Sequence, residues 1–236
     1  MLKTSFDKKS IDQSDSFDNM KENLKIISLR LINQKGINNI EFDDQGYPIG
    51  FSKNSQEVLV PAFISAYTGN NASSVGLNPI SDKPKINWNI QYDGLSEGLK
   101  DIFSRISLRH SYRSNFTINN FQSNLNYSEN SFNSVGDYDS KIFFSNINLV
   151  EQFNPLIRLD LELKNSLRLS FDIIKDRAVS LSLANNLITE SWGDEYSIGI
   201  GYRARNLKLW SRFASTGNRF IGDLNTKLDF NIRKNM

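Results

Sequence analysis

LIRLDLELKNSLRLSFDIIK, from Leu156 to Lys175, is the most regular stretch of the chain and sets its fold class. On each side of Asn165-Ser166, apolar side chains alternate with charged or polar ones. The apolar positions are Ile157, Leu159, Leu161, Leu163, Leu167, Leu169, Phe171 and Ile173. A period of two sends every second side chain of a β-strand to the same face. The stretch therefore predicts a hairpin with one apolar face and one charged face.

The register of this hairpin follows from the parity of its residues. Directly opposed residues of an antiparallel pair lie on the same face, so Leu163 must face Leu167 across a three-residue loop, Lys164 to Ser166. This register also sets Glu162 opposite Arg168 and Arg158 opposite Asp172, which are pairs of opposite charge. A slip by one residue would place leucine beside charge, so the charges favour the same register.

Composition excludes several classes of protein. The chain has 28 Lys and Arg against 26 Asp and Glu, and this balance predicts no nucleic-acid partner. It has no Cys, which excludes disulfides and thiolate metal sites. No apolar run approaches the roughly 18 residues of a transmembrane helix. Membrane barrels stay compatible with this composition, because half of each barrel strand is polar.

The first 84 residues are predicted to form a partly disordered and helical loop region. Met1 to Asn19 is polar and predicted to be disordered. Apolar residues then recur at helical spacing from Phe17 to Leu31, before Gly36. Ser55 to Gly69 predicts a second helix with a cap residue at each end. Pro61 leaves open a later start of that helix near Val60.

Two further segments of this region read as connections. Asp43 to Pro48 has the composition of a turn. Its paired acids could bind calcium, but the ligand spacing of a calcium loop is absent, so a turn is favoured. Asn70 to Pro84 is rich in turn-forming residues and is predicted to be a linker.

Residues 85–236 are predicted to form β-barrel strands, because the period of two continues to the C-terminal end. The connections are predicted at Asp93-Gly94, Asn120 to Ser140, Asn154-Pro155, Lys164 to Ser166, Lys175 to Arg177, Asn185 to Glu195, Arg203 to Asn206 and Ser215 to Asp223. Counting strands places the long connections at one end of the sheet, together with the short loop Lys164 to Ser166, and the other short connections at the opposite end. This segregation is typical of outer-membrane barrels.

Aromatic residues give a second sign of a membrane barrel. Tyr196 and Tyr202 flank Ile198 and Ile200 on one predicted face, as the residues of an aromatic girdle do. Six residues span only about 20 Å along a strand, which is less than the roughly 25 Å of the apolar band. Either the strand extends further or the girdle interpretation is wrong.

Few residues have the chemistry of an active site, and no catalytic, cofactor-binding or metal-binding residue is predicted. His110 is the only histidine, and a structural or interfacial role is favoured for it over a catalytic one. The segment from Trp192 to Glu195 could suit a sugar, but a loop tip is favoured. Arg105, Arg109 and Arg113 form a row that could bind anions or could be an ordinary solvated face.

Seven segments, taken in order, resemble one family. They are SQEVLVPAFISAYTG (Ser55–Gly69), WNIQYDGL (Trp88–Leu95), ISLRHSYRSNFTINNF (Ile106–Phe121), EQFNPLI (Glu151–Ile157), NLITE (Asn186–Glu190), DEYSIGIGYR (Asp194–Arg203) and DLNTKLDFNIR (Asp223–Arg233). In this order and spacing they resemble the C-terminal part of the SprA gliding-motility family, over roughly residues 17 to 235.

The resemblance implies a fold, a location and a role. That family forms a very large outer-membrane barrel, the translocon of the type 9 secretion system, which passes folded proteins to the cell surface. It implies a non-enzymatic chain without cofactors, whose partners are outer-membrane lipid, secreted cargo proteins and other secretion-system subunits. Since the chain is short and has no leader, we expect a C-terminal fragment with about eight strands of the larger barrel.

Two other functions fit the same sequence. One is a small, self-contained outer-membrane β-barrel with an adhesive or structural role. The other is a soluble all-β domain that binds or hydrolyses carbohydrate.

Overall fold

The computed structural model describes residues 14–78, 86–210 and 219–236. Two helices, α1 (Asp15–Gln34) and α2 (Gln56–Thr68), precede the strands. In chain order the strands are β1 (Trp88–Tyr92), β2 (Phe103–Asn119), β3 (Gln122–Ser123), β4 (Ile142–Phe143), β5 (Asn146–Leu163), β6 (Leu167–Ser182), β7 (Leu187–Trp210) and β8 (Arg219–Asn235). A 3₁₀ helix, Gly94–Leu99, connects β1 to β2. The expected class, mostly β-sheet after a short helical region, is confirmed.

Six strands form one antiparallel sheet in the order β1-β2-β5-β6-β7-β8, and β3 pairs separately with β4. In the larger sheet, strands that follow one another along the chain are also neighbours in space. This is the simplest way to build an antiparallel sheet. This order leaves β1 and β8 as edges, so the sheet of the described residues is open. A transmembrane barrel stays a proposal.

The central hairpin is confirmed. Strand β5 ends at Leu163 and β6 begins at Leu167, as predicted. In the loop, the backbone N–H of Ser166 donates to the carbonyl of Leu163 at 3.1 Å, and Ser166 has a φ of 68°. A left-handed residue at the end of a three-residue hairpin loop is common, and it lets the chain re-enter the sheet in register.

Two predicted turns and most of a third lie inside strands, and the predictions are wrong there. Asn154-Pro155 belongs to β5, Lys175 to Arg177 belongs to β6, and Leu187 to Glu195 belongs to β7. Interior strands find backbone hydrogen-bond partners on both sides, and this gain overrides the local preference for a turn. The result is fewer and longer strands than expected. Strand β7 has 24 residues, a length of about 80 Å at roughly 3.3 Å per residue.

A fourth predicted turn, Arg203 to Asn206, is a β-bulge. The register of β7 against β8 shifts between Ala204 and Leu207, and Asn206 has a φ of 55°. The carboxylate of Asp223 accepts from the backbone N–H of Asn206 at 3.0 Å and from the guanidinium of Arg203 at 2.6 Å. A bulge accommodates an extra residue without ending the strand. The turn-forming residues therefore bend β7 but do not reverse it.

The predicted segregation of long connections is also wrong. Connections in an antiparallel sheet alternate between its ends. Because β5 is one strand, residues 120–145 and the loop of residues 164–166 lie at opposite ends. Strand β7 begins at Leu187, so the connection after β6 is short, and β8 begins at Arg219, within the predicted last loop. Residues 211–218, including the rest of that loop, lie outside the described residues. Loop lengths therefore do not support a membrane location.

The described residues divide into two compact units. The first unit takes those of Met1–Lys85 with Asn115–Val150 and Ala178–Glu190, and the second takes Ile86–Ser114, Glu151–Arg177 and those of Ser191–Met236. These units differ in kind from the predicted division near residue 84, which separates a helical loop region from the strands. That division stays a prediction.

The first unit has a conventional hydrophobic core. Apolar residues from α1, α2, β5 and β6 pack in it, and those that are nearly inaccessible to solvent are Ile27, Ile32, Val58, Val60, Ala62, Phe63, Tyr67, Ile147, Leu149, Val179 and Leu181. The two helices are also joined by a hydrogen bond from the Asn23 amide to Ser65 Oγ at 3.1 Å. Burial of large apolar side chains is the main stabilising contribution here.

Helix α1 begins and ends close to the predicted positions. Ser14 is its N-cap, and the Ser14 hydroxyl accepts from the backbone N–H of Phe17. The helix continues to Gln34, just before Gly36. The predicted disorder of Asp15 to Asn19 is wrong, because the cap and the burial of Ser16 and Met20 hold this part in the helix. Residues 1–13 lie outside the described residues.

Helix α2 begins and ends at the predicted cap residues, although the Ser55 side chain makes no capping hydrogen bond. Ser55 is the N-cap, and Gly69 is the C-cap in the left-handed conformation, with a φ of 68°. Pro61 lies inside the helix, so the alternative start near Val60 is wrong. Proline has no N–H to donate to the carbonyl of Glu57, which normally costs stability in a helix. Pro61 and the residues around it are buried, and tertiary packing offsets that cost.

The predicted linker is not a solvated connection in its described part. Ala72 and Val75 are buried in the core of the first unit. Their carbonyl groups accept hydrogen bonds from the guanidinium of Arg30, at 2.7 and 2.9 Å. The segment from Asn70 to Asn78 therefore belongs to the first unit, and Pro79 to Pro84 lie outside the described residues.

Phe63→Ala should destabilise the first unit strongly. The Phe63 ring is fully buried and packs against Tyr67 with ring centroids 4.9 Å apart. Removing a buried phenylalanine side chain typically costs about 3–5 kcal/mol. The measurement is amide hydrogen exchange of α2. Ile26→Ala, at an exposed position of α1, is the matched control, and equal acceleration in both variants would contradict the assigned core.

Candidate functional site

The second unit presents a polar groove of about 450 Å³ on one face of the sheet. Five strands contribute to it, from β2 to β8. Its charged and polar lining is Arg105, Ser107, Arg109, Arg158, Asp160, Glu162, Arg168, Ser170, Tyr202, Arg203, Asn225, Thr226 and Lys227. This lining is dominated by charged side chains from neighbouring strands.

Ion pairs neutralise most of the charged side chains of this face. Arg158 Nε lies 3.0 Å from Asp160, and Arg158 Nη1 lies 3.6 Å from Asp172. Arg168 lies 3.1 Å from Glu162. Both predicted cross-strand pairs of the hairpin are therefore present. Exposed pairs of this kind stabilise by at most about 1 kcal/mol each, so their main effect is on register and on net field.

Glycines in β7 make room for charged side chains from the neighbouring strands. Arg233 of β8 and Asp176 of β6 meet at 3.0 Å, although β7 lies between their strands. A Cβ atom on Gly193 would lie 2.5 Å from the Asp176 carboxylate and 2.9 Å from the Arg233 guanidinium. At Gly199, Ser170 and Asp229 approach from both sides in the same way. The missing side chains thus allow bridges across an intervening strand.

The opposite face of the second unit is apolar and exposed. The register pairs Tyr196 with Ile232, Ile198 with Phe230, and Ile200 with Leu228. The exposed fractions of these side chains range from 42% for Ile200 to 73% for Ile232. Contiguous apolar patches of this kind mark contact with a membrane or with another protein. An aromatic girdle around Tyr196 and Tyr202 required a strand longer than six residues, and β7 meets that requirement.

A buried charged network continues this apolar face, and the sequence analysis missed it. The Tyr112 hydroxyl donates to Glu151 at 2.7 Å, and Glu151 lies 4.0 Å from Arg177. The Arg177 guanidinium also lies over the ring of Trp192, 4.6 Å from its centroid. The exposed fraction of Arg177 is only 1%. The signal was present in the sequence, since Glu151 shares the phase of Leu149 and Phe153, while Arg177 shares that of Val179.

The arginine row is divided among different surroundings. Arg105 lies 3.7 Å from Asp93, and Arg109 lines the polar groove. Arg113 instead lines a separate cavity of about 510 Å³ beside Trp88. The three residues therefore do not converge on one anion, and the solvated-face interpretation fits them better.

His110 lies in an aromatic cluster of the second unit. Its Nδ1 atom lies 2.6 Å from the carbonyl oxygen of Leu156, and its ring contacts Trp88 and Phe153. Trp88 in turn stacks on Tyr112, with centroids 4.5 Å apart. These contacts agree with the structural role that was favoured for the only histidine.

The segment from Trp192 to Glu195 is not a loop tip, and that prediction is wrong. All four residues lie in β7, where the ladder to β8 holds them extended. Asp194 pairs with Lys175 at 3.4 Å, and Glu195 pairs with Arg233 at 3.2 Å. The two acids point to opposite faces of the strand, so they cannot act together on a sugar.

The acidic segment of the first unit is a turn, as favoured. The side chain of Asp43 accepts from the backbone N–H groups of Gln45 and Tyr47, and Gly46 has a φ of 78°. The carboxylate is therefore used within the turn. Across the part of the chain that the structure describes, no group of three His, Cys, Asp or Glu residues could hold a metal ion.

Glu57 is the acid of the first unit with the most unusual surroundings. It lines a cavity of about 530 Å³ together with apolar residues that include Val60, Pro61 and Phe144. Burial raises the pKa of the Glu57 carboxyl, while a hydrogen bond with Ser140 and the charge of Lys35 oppose that shift. The folded state therefore favours the protonated form of Glu57 more than the unfolded chain does.

No protein-family model and no curated protein matches the chain. Neither described helix is long and apolar enough to cross a membrane.

Glu57→Gln should raise stability at neutral pH. A carboxyl group whose pKa is raised by folding stabilises the folded state fully when the pH is below the pKa that the group has in the unfolded chain. This contribution is lost as the pH rises through the pKa that the group has in the folded state. The amide has no charge to bury, so the unfolding midpoint of the variant should fall less between pH 4 and pH 7. Glu41→Gln, at an exposed position of the same unit, should follow the parent. Identical pH profiles for the Glu57→Gln variant and the parent would show that burial of Glu57 costs nothing.

Gly193→Val should separate Asp176 from Arg233, because the new side chain would occupy the space of their contact. The loss should be no more than about 1 kcal/mol, as for other exposed pairs. Nuclear magnetic resonance of the Arg233 guanidinium should report its release. Gly222→Val is the matched control, since nothing lies within 4 Å of a Cβ atom there. An unchanged Arg233 signal in the Gly193→Val variant would refute a bridge across β7.

Proposed function

We propose that the second unit is part of the wall of an outer-membrane channel that passes folded proteins to the cell surface, as in type 9 secretion and gliding motility. The supporting observation is the contrast between the two faces of one sheet. Large apolar side chains are exposed on one face, and paired charges cover the other. Lipid on one side and water on the other would satisfy both faces.

The polar face suits a passive conduit. A channel wall must release every cargo protein that it contacts, so strong binding would slow transport. Its acids Asp160, Glu162, Asp172, Asp223 and Asp229 all have basic partners within 4.0 Å. Paired charges give little net field, and the wall therefore selects no strongly charged cargo. Secreted proteins and other secretion-system subunits are the partners that this role requires.

A second candidate is carbohydrate binding by an all-β domain. The cavity beside Trp88 favours it, because Asn87, Asn89, Gln152 and Asn154 supply planar amides next to an aromatic ring. Such a combination can hydrogen-bond and stack on sugars. This function leaves the exposed apolar face without a partner, so the channel wall explains more of the molecule. Titration with cell-surface glycans, followed by tryptophan fluorescence, separates the two candidates.

Phe230→Arg should weaken insertion into lipid, whereas Asn231→Arg should not. The two residues are neighbours on β8 and lie on its apolar and polar faces, respectively. An arginine on the lipid face costs about 2–4 kcal/mol near the midplane of the bilayer. Protease protection of the chain in phospholipid vesicles measures insertion. Equal protection of the two variants would remove the lipid contact from the proposal.

The same pair of variants tests transport in the bacterium that encodes the chain. Phe230→Arg should lower both the assembled protein in the outer membrane and the amount of folded cargo at the cell surface. Asn231→Arg should leave both close to the parent. Normal cargo delivery despite loss of the assembled protein would show that the chain does not serve protein export.

A further inference from the structure

Strand β8 is the longer of the two open edges of the sheet. It has 17 residues, whereas β1 has five. Its pairing with β7 is continuous apart from the bulge, and it is the last strand in the sheet order of the described residues. An edge of this length exposes a row of N–H and C=O groups that can pair with another strand.

The hydrogen bonds at the end of the hairpin show which groups face outward. Trp192 and Met236 exchange both of their backbone hydrogen bonds, each at 3.0 Å. Opposed residues in an antiparallel pair alternate between bonded and non-bonded pairs. Counting back along the register, the even-numbered residues of β8 up to the bulge turn their backbone groups toward β7. The outward groups therefore belong to Asn225, Lys227, Asp229, Asn231, Arg233 and Asn235.

The outer edge has only part of the usual protection against strand addition. Natural sheets guard long edges with proline, bulges, covering segments or charged side chains, especially lysine. Between Leu224 and Asn235 the register is regular and there is no proline. The charges at outward positions are already compensated, since Lys227 pairs with Asp229 at 2.9 Å and Arg233 with Asp176 and Glu195.

We infer that the outer edge of β8 accepts one antiparallel β-strand from another polypeptide segment. The side chains of β8 specify the sequence of this strand. On one face it needs apolar residues beside Leu228, Phe230 and Ile232, and on the other it needs polar residues without net charge. Its backbone completes the ladder through the six outward residues. This inference rests on the open backbone edge of β8 and on the side chains beside it, so it goes beyond the channel function and holds whether lipid or protein covers the apolar face.

The test is hydrogen exchange of the full chain in detergent micelles. The probe is a peptide that copies Leu156–Lys164, LIRLDLELK, which has the required alternation and no net side-chain charge. Without peptide, the amides of Thr226, Leu228 and Phe230 should exchange slowly, and those of Lys227 and Asp229 should exchange fast. Saturating peptide should slow the outward amides by about tenfold or more, as pairing does elsewhere in sheets. Outward amides that stay fast would overturn the inference.

Two controls identify what binds. A peptide of the same composition without alternation should give no protection, and equal protection by both peptides would indicate a nonspecific apolar coat and contradict strand addition. Protection that grows with protein concentration alone would show that a second copy occupies the edge, and it would overturn the stated occupant.

The matched variants are Asn231→Pro and Asn231→Ala. Proline removes an outward N–H without removing a hydrogen bond to β7. Peptide protection should be lost in the proline variant and retained in the alanine variant, while the inward amides stay slow in both. Lys227→Pro provides a second outward position if the first variant loses its inward protection. Full peptide protection in a proline variant with an intact inward ladder would overturn the inference.

Discussion

The antiparallel hydrogen-bond ladder is the constraint on which the other features of the sheet depend. Strand β7 stays paired along 24 residues, and its partner β8 follows it from Arg219 to Asn235. Because side chains alternate along a paired strand, one ladder fixes the faces of every residue in it. The division into an exposed apolar face and an ion-paired polar face follows from the sequence alternation once the ladder is in place.

The sequence predicted the elements whose local signals agree with their surroundings. The loop of the hairpin between β5 and β6 was predicted to the residue, because loop length, apolar phase and charge pairs all favour one register. The caps of α2 at Ser55 and Gly69 were predicted for the same reason. Local and long-range preferences conflict at Pro155 and at Asn206. There the ladder keeps Pro155 in a strand and turns Asn206 into part of a bulge, which no local pattern indicates.

The site was harder to predict than the fold, because its main features depend on neighbouring strands. Gly193 looks like a weak point in a strand until Asp176 and Arg233 are seen to meet across it. Glu151 and Arg177 occupy strand positions that face the apolar side of the sheet. An unpaired charge there would cost roughly several kcal/mol of desolvation free energy. Their pairing depends on β5 and β6 being single strands. The turn-like residues in both strands had instead predicted that each is divided in two.

The buried network and the ion-paired face use charge in different ways. Glu151 receives a hydrogen bond from Tyr112, and Arg177 lies over Trp192. Charges buried in this way favour one arrangement of the strands, because any other would leave an unpaired charge in an apolar environment. The pairs on the polar face are exposed to water and contribute little stability. Their effect is to cancel one another across β5, β6, β7 and β8. A surface with little net field can contact many polypeptides without holding one strongly, and this property fits the proposed channel wall.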